Sequence, residues 1–405
     1  MHLNSNLIYI ARTNAREPSR IFGMSKNDRR AHMYVVGRTG TGKSSLFETL
    51  AFQDIRNGHG LALLDPHGDL AERLLKSVSS HLRSDLTYFD VPDIEQPVTF
   101  NPLASIPLLK RPLVGANLLE VFKKIWTDSW GVRMEHLLRY SLLTLLDQPC
   151  ATLGDLLPLL DDEDYRTEAI RHVTNEQVRR FWLQEYNNYP LRYRADAAAP
   201  IQNKVGAFLA DPLLNRILTS KEPGLDLRKI MDEGKILLVN LAKGKIGEGP
   251  ASLLGSLLVA QFGAAGLSRA DTPENHRRDF YLYLDEFQTF TTQSLAGMLS
   301  ELRKYRVNLI LANQYLSQID RVVLDGILGN VGTIISFRVG PVDAEFLAKE
   351  FAPVFKASDL MNLPNYHIYL KLMIDGAVSP PFSATTITVK DLENTACSQR
   401  KGAVQ

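Results

Sequence analysis

Residues 37–44 read Gly37-Arg38-Thr39-Gly40-Thr41-Gly42-Lys43-Ser44, a complete G-x-x-x-x-G-K-[ST] phosphate-binding loop. An apolar run precedes the loop at 33–36, and a helical segment follows it from Lys43 to Arg56, which is the strand–loop–helix setting that the motif requires. Glycines let the backbone wrap around a phosphate, and N–H groups at the helix start bind the anion. The predicted nucleotide-binding residues are Gly37, Arg38, Thr39, Gly40, Thr41, Gly42, Lys43, Ser44 and Ser45. Within this set Lys43 reaches the β- and γ-phosphates, and Ser44 binds Mg²⁺.

Short β-rich runs alternate with helical segments on both sides of this loop. The predicted strands lie at 33–36, 61–64, 86–89, 236–239, 280–284, 307–311 and 333–337, with a last β-rich segment at 366–374. Continuous apolar strands separated by helices indicate a parallel sheet that is covered on both faces. The most apolar stretch, Leu253–Leu267, is too short and too interrupted for a membrane span, so it is predicted to be a buried helix.

A different pattern occupies the middle of the chain, where leucines recur at helical spacing and prolines separate the segments. We interpret this part as an all-helical insertion. The predicted fold is therefore α/β, with a parallel-rich central sheet in a discontinuous domain of residues 1–110 and 226–405, interrupted by an all-α domain of residues 111–225.

A second acidic element follows one predicted strand, in the run Phe280-Tyr281-Leu282-Tyr283-Leu284-Asp285-Glu286. Two acids after a strand often only cap the next helix. Together with a phosphate-binding loop, however, they favour a hydrolytic site in which Asp285 holds Mg²⁺ and Glu286 polarises the attacking water.

Two further polar residues end predicted strands. Asp65 begins Asp65-Pro66-His67-Gly68, which fits the D-x-x-G motif of GTPases, but the candidate base-recognition loop Asn203-Lys204-Val205-Gly206 lacks its Asp. The GTPase interpretation therefore fails, and Asp65 either contacts nucleotide or caps a turn. Gln314 either senses the γ-phosphate and the water or makes an ordinary loop hydrogen bond.

Basic residues supply weaker candidates. Arg303 ends a predicted helix and Arg338 ends a predicted strand, and either could stabilise phosphoryl transfer or simply be solvated. Lys243 and Lys245 lie in a glycine-rich loop that could contact DNA phosphates or be a plain turn. Arginines interleaved with aromatic residues at 179–194 either stack on bases or belong to the core.

The overall charge limits the class of partner. Lys plus Arg total 46 against 45 Asp plus Glu, a formal net charge of +1, which argues against coating nucleic acid or membrane by bulk charge. With two cysteines and no metal-binding spacing, a disulfide scaffold or a zinc ribbon is not expected. No targeting or transmembrane segment is expected, and a cytoplasmic location fits.

With these residues identified, the chain resembles the FtsK/HerA superfamily of DNA-pumping P-loop ATPases. Within it, the similarity is greatest to type IV secretion coupling proteins of the TraG/TraD kind. The residues that carry the resemblance are the loop, Leu63-Leu64-Asp65-Pro66-His67-Gly68, the stretch Asn203-Lys204-Val205-Gly206-Ala207-Phe208-Leu209 of the helical insertion, Asp285-Glu286-Phe287-Gln288, Arg303-Lys304-Tyr305-Arg306, Ala312-Asn313-Gln314 and Phe337-Arg338-Val339-Gly340.

The resemblance implies a RecA-like core that uses ATP and Mg²⁺, assembles as a homo-hexameric ring and threads DNA through its centre. It also implies that Gln314 is a sensor, that Arg303 is an arginine finger acting in trans, and that the helical domain receives substrate. That domain could bind secretion-channel proteins or a relaxase, at the cytoplasmic face of the inner membrane. The expected function is a coupling protein of conjugative secretion. The alternatives are a soluble HerA-like translocase of DNA processing or phage defence, and a nucleotide-regulated receptor for protein substrates.

Overall fold

The computed structural model describes residues 6–15, 19–95, 98–222 and 224–394. In this part of the chain the strands are β1 (Leu7–Thr13), β2 (Ile21–Ser25), β3 (Met33–Val36), β4 (Gly60–Asp65), β5 (Leu86–Asp90), β6 (Ile236–Asn240), β7 (Phe280–Leu284), β8 (Val307–Asn313), β9 (Thr333–Ser336), β10 (His367–Lys371), β11 (Met373–Ile374), β12 (Ala377–Val378) and β13 (Phe382–Thr386). Eleven of these strands form one sheet in the order β2-β1-β13-β10-β9-β3-β8-β7-β4-β6-β5.

The sheet has a parallel part and an antiparallel edge. The seven strands from β9 to β5 are parallel to one another, and β10, β13, β1 and β2 continue the sheet as antiparallel strands. Every residue of β3, β4 and β8 is buried, because helices cover both faces of the parallel part.

The helices in the described residues are α1 (Lys43–Arg56), α2 (Asp69–Ser77), α3 (Arg111–Ile125), α4 (Val132–Leu146), α5 (Leu156–Asp161), α6 (Glu163–Arg171), α7 (Glu176–Arg180), α8 (Leu191–Leu209), α9 (Pro212–Leu218), α10 (Leu227–Glu233), α11 (Lys243–Ile246), α12 (Glu248–Ser268), α13 (Ser294–Glu301), α14 (Arg321–Asn330), α15 (Pro341–Glu350) and α16 (Ala357–Met361). Helices α1 and α2 pack on one face of the sheet, whereas α12 and its neighbours pack on the other.

The predicted α/β class is confirmed, and the strands and helices around the phosphate-binding loop lie where the sequence places them. The structure differs at the antiparallel edge, where β1, β2 and β13 were not predicted. The apolar run at the start of β1 is short, and the strand forms because β2 and β13 pair with it on either side.

The middle of the chain is helical in the described residues from 108 to 222. Its helices share one hydrophobic core with the adjacent face of the sheet, and α3 packs directly against α12. The predicted domain boundaries therefore remain a prediction.

One helical stretch in the described chain is long and apolar enough to span a membrane, Glu248–Asp271. Its apolar window is 78% buried inside the fold, which agrees with the prediction of a buried helix at 253–267. Its apolar character follows from packing between the sheet and α3.

Candidate nucleotide-binding site

The phosphate-binding loop joins β3 to α1, which begins at Lys43. Gly40 and Gly42 have φ values of 75° and 122°, which L side chains rarely adopt. A Cβ atom on Gly42 would also lie 3.0 Å from the rings of Phe337 and Tyr366. The loop therefore needs glycine for its backbone conformation and, at this residue, for space.

The loop is held by its own backbone. The Lys43 ammonium donates hydrogen bonds to the carbonyls of Gly37 (2.5 Å) and Arg38 (3.2 Å), and Thr41 Oγ1 donates to the Arg38 carbonyl (2.7 Å). Burial lowers the pKa of Lys43, while the nearby carboxylates of Glu286 and Asp285 act in the opposite direction. Lys43 thus lies close to both predicted acidic residues.

The strand order brings the other predicted residues to this loop. Because β8 lies between β3 and β7, the residue after β8, Gln314, lies between the loop and the acids that follow β7. Asp285 is 5% exposed. Burial, followed by the negative charges of Glu286 and Asp65, raises the pKa of Asp285 to about 7. A cation bound beside this carboxyl group would favour its ionised form.

Two glutamines hold the carboxylate of Glu286, whose backbone is left-handed at φ 49°. Gln314 Nε2 donates to Glu286 Oε1 at 2.9 Å, so its amide contacts one of the two predicted acids. Gln288 Nε2 donates to Glu286 Oε2 at 2.8 Å. Gln288 had been assigned no role from sequence. Its spacing two residues after the glutamate is the signal that could have identified it.

The residues present fit a magnesium nucleotide. The Ser44 side chain is exposed in the first turn of α1, and the positive charge of Lys43 acts to lower the pKa of the buried Asp285 carboxyl. A hydroxyl and a carboxylate are oxygen donors of the type that Mg²⁺ prefers. No cluster of three or more His, Cys, Asp or Glu residues suited to a metal occurs in the part of the chain that the structure describes.

Asp65 caps a turn, which was one of the two roles left open for it. Its Oδ1 accepts a hydrogen bond from the His67 N–H (2.9 Å), and its Oδ2 accepts from the N–H groups of Leu70 (2.8 Å) and Ala71 (3.0 Å). Three backbone donors occupy the carboxylate at the start of α2. Asp65 therefore acts on the site through its charge beside Asp285.

A buried ion pair on α1 also bonds to β7, the strand that precedes the two acids. Arg29 contacts both oxygens of Asp54 on α1, at 2.6 and 2.7 Å. The hydroxyl of Tyr283 on β7 donates to the same carboxylate at 2.5 Å, and His59 Nδ1 lies 3.0 Å from it. The Asp54 carboxylate on α1 thus contacts Arg29, which precedes β3, and Tyr283 on β7.

The two candidate arginines lie in different places. Arg303 is exposed in a 3₁₀ turn, Leu302–Tyr305, before the start of β8. The loop lies at the far end of that strand, about 20 Å away at ~3.3 Å per residue, so Arg303 is remote from the nucleotide site of its own chain. Arg338 lies beside the loop, since its carbonyl accepts from the Arg38 N–H (2.9 Å). Its guanidinium, however, donates to the Leu363 carbonyl (3.2 Å) and to Asn365 Oδ1 (3.0 Å).

The prediction of a flexible glycine-rich loop around Lys243 and Lys245 was wrong. These residues form the short helix α11, which is fixed to the neighbouring turn by a hydrogen bond from the Lys243 N–H to the Pro66 carbonyl (2.8 Å). Lys245 is exposed and Lys243 is half-buried. The helix α11 thus follows the carboxyl end of β6, at the same end of the parallel strands as the phosphate-binding loop that follows β3.

In the stretch 179–194, the core alternative accounts for the central aromatic residues. Trp182 is fully buried and donates to Thr144 Oγ1 at 2.7 Å, and Tyr186 is 3% exposed. The guanidinium of Arg179 donates to the Val173 carbonyl at 2.6 Å. These rings are therefore not available for stacking on bases.

Comparison with known families and structures adds to this geometry. The family described as "Helicase HerA, central domain" matches residues 24–249. The unbound structure of the bacterial conjugative coupling protein TrwB is similar, with a TM-score of 0.62 and 17% identity over 90% of this chain and 86% of that one. VirB4 of Thermoanaerobacter pseudethanolicus has a TM-score of 0.63 and 12% identity, over 96% of this chain and 98% of that one.

A structure of the plasmid coupling protein TrwB in complex with ADP and Mg²⁺ is also similar, with a TM-score of 0.61 and 17% identity over 90% of this chain and 87% of that one. A search of curated sequences found no match. At these identities the structural similarities show the fold, and the predicted RecA-like α/β core is confirmed.

Proposed function

The chain belongs to the family of the HerA helicase central domain, in the FtsK/HerA superfamily, and on that premise we propose that it is an Mg²⁺-dependent ATPase motor that translocates DNA. The observation that carries the proposal is the carboxylate of Glu286, which two glutamine amides orient beside Lys43. An acid held in this way is suited to accept a proton from an attacking water. The ADP and Mg²⁺ bound by the similar TrwB structure support the choice of cofactors.

Each residue then has a role in binding. The N–H groups of residues 38–45 surround the phosphates at the start of α1. Lys43 exchanges its bonds to the Gly37 and Arg38 carbonyls for the β- and γ-phosphate oxygens. Ser44 and Asp285 would hold Mg²⁺, which neutralises phosphate charge when it is bound.

In hydrolysis, Glu286 orients the water and takes its proton, while Gln314 keeps the carboxylate directed at the loop. An arginine placed against the γ-phosphate would stabilise the charge that develops in transfer. Arg303 is our candidate, supplied by the neighbouring subunit of a homo-hexameric ring, because it is exposed and remote from its own loop. Arg338 is the weaker candidate, since neighbouring loop atoms already bind its guanidinium.

The pathway we propose is conjugative type IV secretion, with this chain as the coupling protein at the cytoplasmic face of the inner membrane. The similarity to TrwB across 90% of the chain supports it. DNA would pass Lys243 and Lys245, and the helical domain of residues 111–225 would receive a relaxase or channel protein. The family match to HerA favours a second candidate, a DNA translocase of DNA processing or phage defence.

The test is the rate of ATP hydrolysis with and without DNA, with the mass in solution measured in parallel. We expect DNA to stimulate hydrolysis by a concentration-dependent oligomer. We also expect Glu286→Gln to bind nucleotide with turnover reduced by about 100-fold or more, because the general base is lost. Hydrolysis that DNA leaves unchanged would point instead to a receptor for protein substrates. Unchanged turnover in Glu286→Gln would exclude the proposed site.

The role of Arg303 is tested by mixing two inactive variants. Arg303→Ala subunits retain the loop, and Lys43→Ala subunits retain the arginine. If Arg303 acts in trans, mixed rings contain intact sites at some interfaces and regain activity. Absence of rescue in rings shown to have mixed would contradict this role.

A further inference from the structure

The ammonium group of Lys124 lies in the last turn of α3, the first long helix of the helical region. It donates three hydrogen bonds of 2.9 Å, to the carbonyls of Gln288, Thr289 and Thr291. These acceptors lie 164 to 167 residues further along the chain. One side chain of the helical region thus holds three carbonyls of a single turn.

That turn follows Glu286 directly. It begins as the 3₁₀ segment Phe287–Thr289 and contains Phe290, which is fully buried. Ser252 on α12 donates to the Thr289 carbonyl at 2.9 Å. Gly255 on the same helix packs so closely that a Cβ there would lie 2.3 Å from Phe290. The turn that follows Glu286 is therefore held in place by α3 and α12.

Backbone dipoles rather than a carboxylate compensate the charge of Lys124. Burial lowers the pKa of Lys124 to about 8, and no carboxylate in the described part of the chain opposes that effect. A partly buried ammonium without a counter-ion is costly unless every donor is used. Here each of its three N–H bonds has a carbonyl acceptor in the same turn.

We propose that Lys124 is a positioning residue for Glu286, through which the helical region sets the rate of ATP hydrolysis. The inference rests on the proposed function. Because α3 packs on α4 as well as on α12, a partner that moves the helical region shifts Lys124 relative to the turn. The glutamate then gains or loses its alignment with the water, while the phosphate-binding loop keeps its own internal bonds.

The test compares Lys124→Met with Lys123→Met, in which the neighbouring lysine on the same helix is exposed. In Lys124→Met we expect kcat to fall about tenfold or more while KM and the nucleotide Kd stay within about twofold, because no binding contact is removed. Lys123→Met keeps the wild-type kcat. Lys124→Arg restores part of the loss, because a guanidinium can donate to the same carbonyls.

A kcat for Lys124→Met equal to that of Lys123→Met overturns the inference, and so does a matching loss of nucleotide affinity. If Lys124→Met does not fold, Lys124→Gln and Lys124→Arg carry the test. A clearly lower kcat in the glutamine variant supports the inference, and equal values overturn it. If the wild-type chain binds nucleotide but never hydrolyses it, both the proposed function and this inference are overturned. If the wild type is active and Lys124→Met has the same activity, only the inference is overturned.

Discussion

The two halves of the nucleotide site are built in different ways. In the phosphate-binding loop, the bonds from Lys43 and Thr41 reach carbonyls no more than six residues away. In the second half, which is Glu286 and the turn after it, Gln288 is a local donor, but the donors Gln314, Ser252 and Lys124 are remote in sequence. The first half is therefore a local structure that a short motif specifies, and the second depends on how three separate elements pack. We expect damage to the first to abolish binding and damage to the second to slow turnover.

The largest expected effect is that of Lys43→Ala. This change removes the ammonium that neutralises the phosphates and bonds the loop, so ATP turnover should fall at least about 1,000-fold, with weaker nucleotide binding. Steady-state hydrolysis and binding of a fluorescent nucleotide measure the two effects. Retained nucleotide affinity would contradict the assignment of binding to this half.

Asp54→Asn should break the connection between the halves. It leaves the buried guanidinium of Arg29 without its carboxylate and should lower the free energy of unfolding by about 4 kcal/mol. Asp325→Asn is the matched control, because it removes an exposed pair with Arg321, whose side chains are 56% and 71% exposed. Exposed pairs contribute about 0–1 kcal/mol. Similar losses in urea denaturation of the two variants would contradict the role of the buried pair.

The hydrogen bond between His32 and β8 should make the stability of the fold depend on pH. Its Nε2 lies 3.0 Å from the Leu299 carbonyl, to which it donates, and its Nδ1 accepts from the Leu309 N–H at 3.0 Å, so the neutral ring is required. Burial lowers the pKa of His32 from 6.5 to about 4. The contribution of the neutral His32 ring to the free energy of unfolding is complete above pH 6.5. It falls as the pH drops towards 4, because the unfolded chain takes up the proton first. The total loss is about 3 kcal/mol.

Denaturant unfolding between pH 7 and pH 4 measures that loss, and His32→Gln provides the reference, since its side chain does not titrate. The difference in slope between the two proteins is the quantity to compare. Parallel curves would show that His32 does not contribute.

The smallest expected effect is that of removing either of the two glutamines that bond the Glu286 carboxylate. Gln288→Ala and Gln314→Ala should each reduce kcat about tenfold, equivalent to about 1.4 kcal/mol, because Glu286 loses one orienting bond. Nucleotide affinity should hardly change, since neither amide bonds the loop. An effect of either variant on Kd larger than its effect on kcat would show that the halves are not separable.

The sequence was sufficient for the parts of the site that are local. The glycines around Lys43, the apolar strand before Asp285 and the polar Gln314 all have short signatures, and the strand order then brings them together. Lys124 could not be identified in this way, because a lysine in an amphipathic helix normally faces solvent. Its function depends on α3 lying against the turn at 287–291, which only tertiary packing specifies.

The fold was predictable to a similar extent. The parallel strands are apolar throughout and alternate with helices, so each has a local signal. The antiparallel edge has none of comparable strength, because β1 is stabilised by pairing with β13, in which Ala11 lies opposite Thr386. The glycine-rich stretch at 243–247 was predicted to be a loop, because its composition is typical of one. It forms α11, which a hydrogen bond to the neighbouring turn holds in place.

The pairing of β1 with β13 also has a consequence in time. On a ribosome that adds about 5–20 residues per second, roughly 20–75 seconds pass between the appearance of the two strands. During that interval β1, which carries the buried residues Ile8 and Ile10, has β2 but not β13 as a strand partner. Proteolysis of ribosome-bound chains of increasing length would detect this unpaired state of β1. We expect cleavage within residues 7–13 that stops only once β13 has emerged. Because β13 lies between β1 and β10 in the sheet, a chain released before β13 is made leaves both of these strands without a partner on that side.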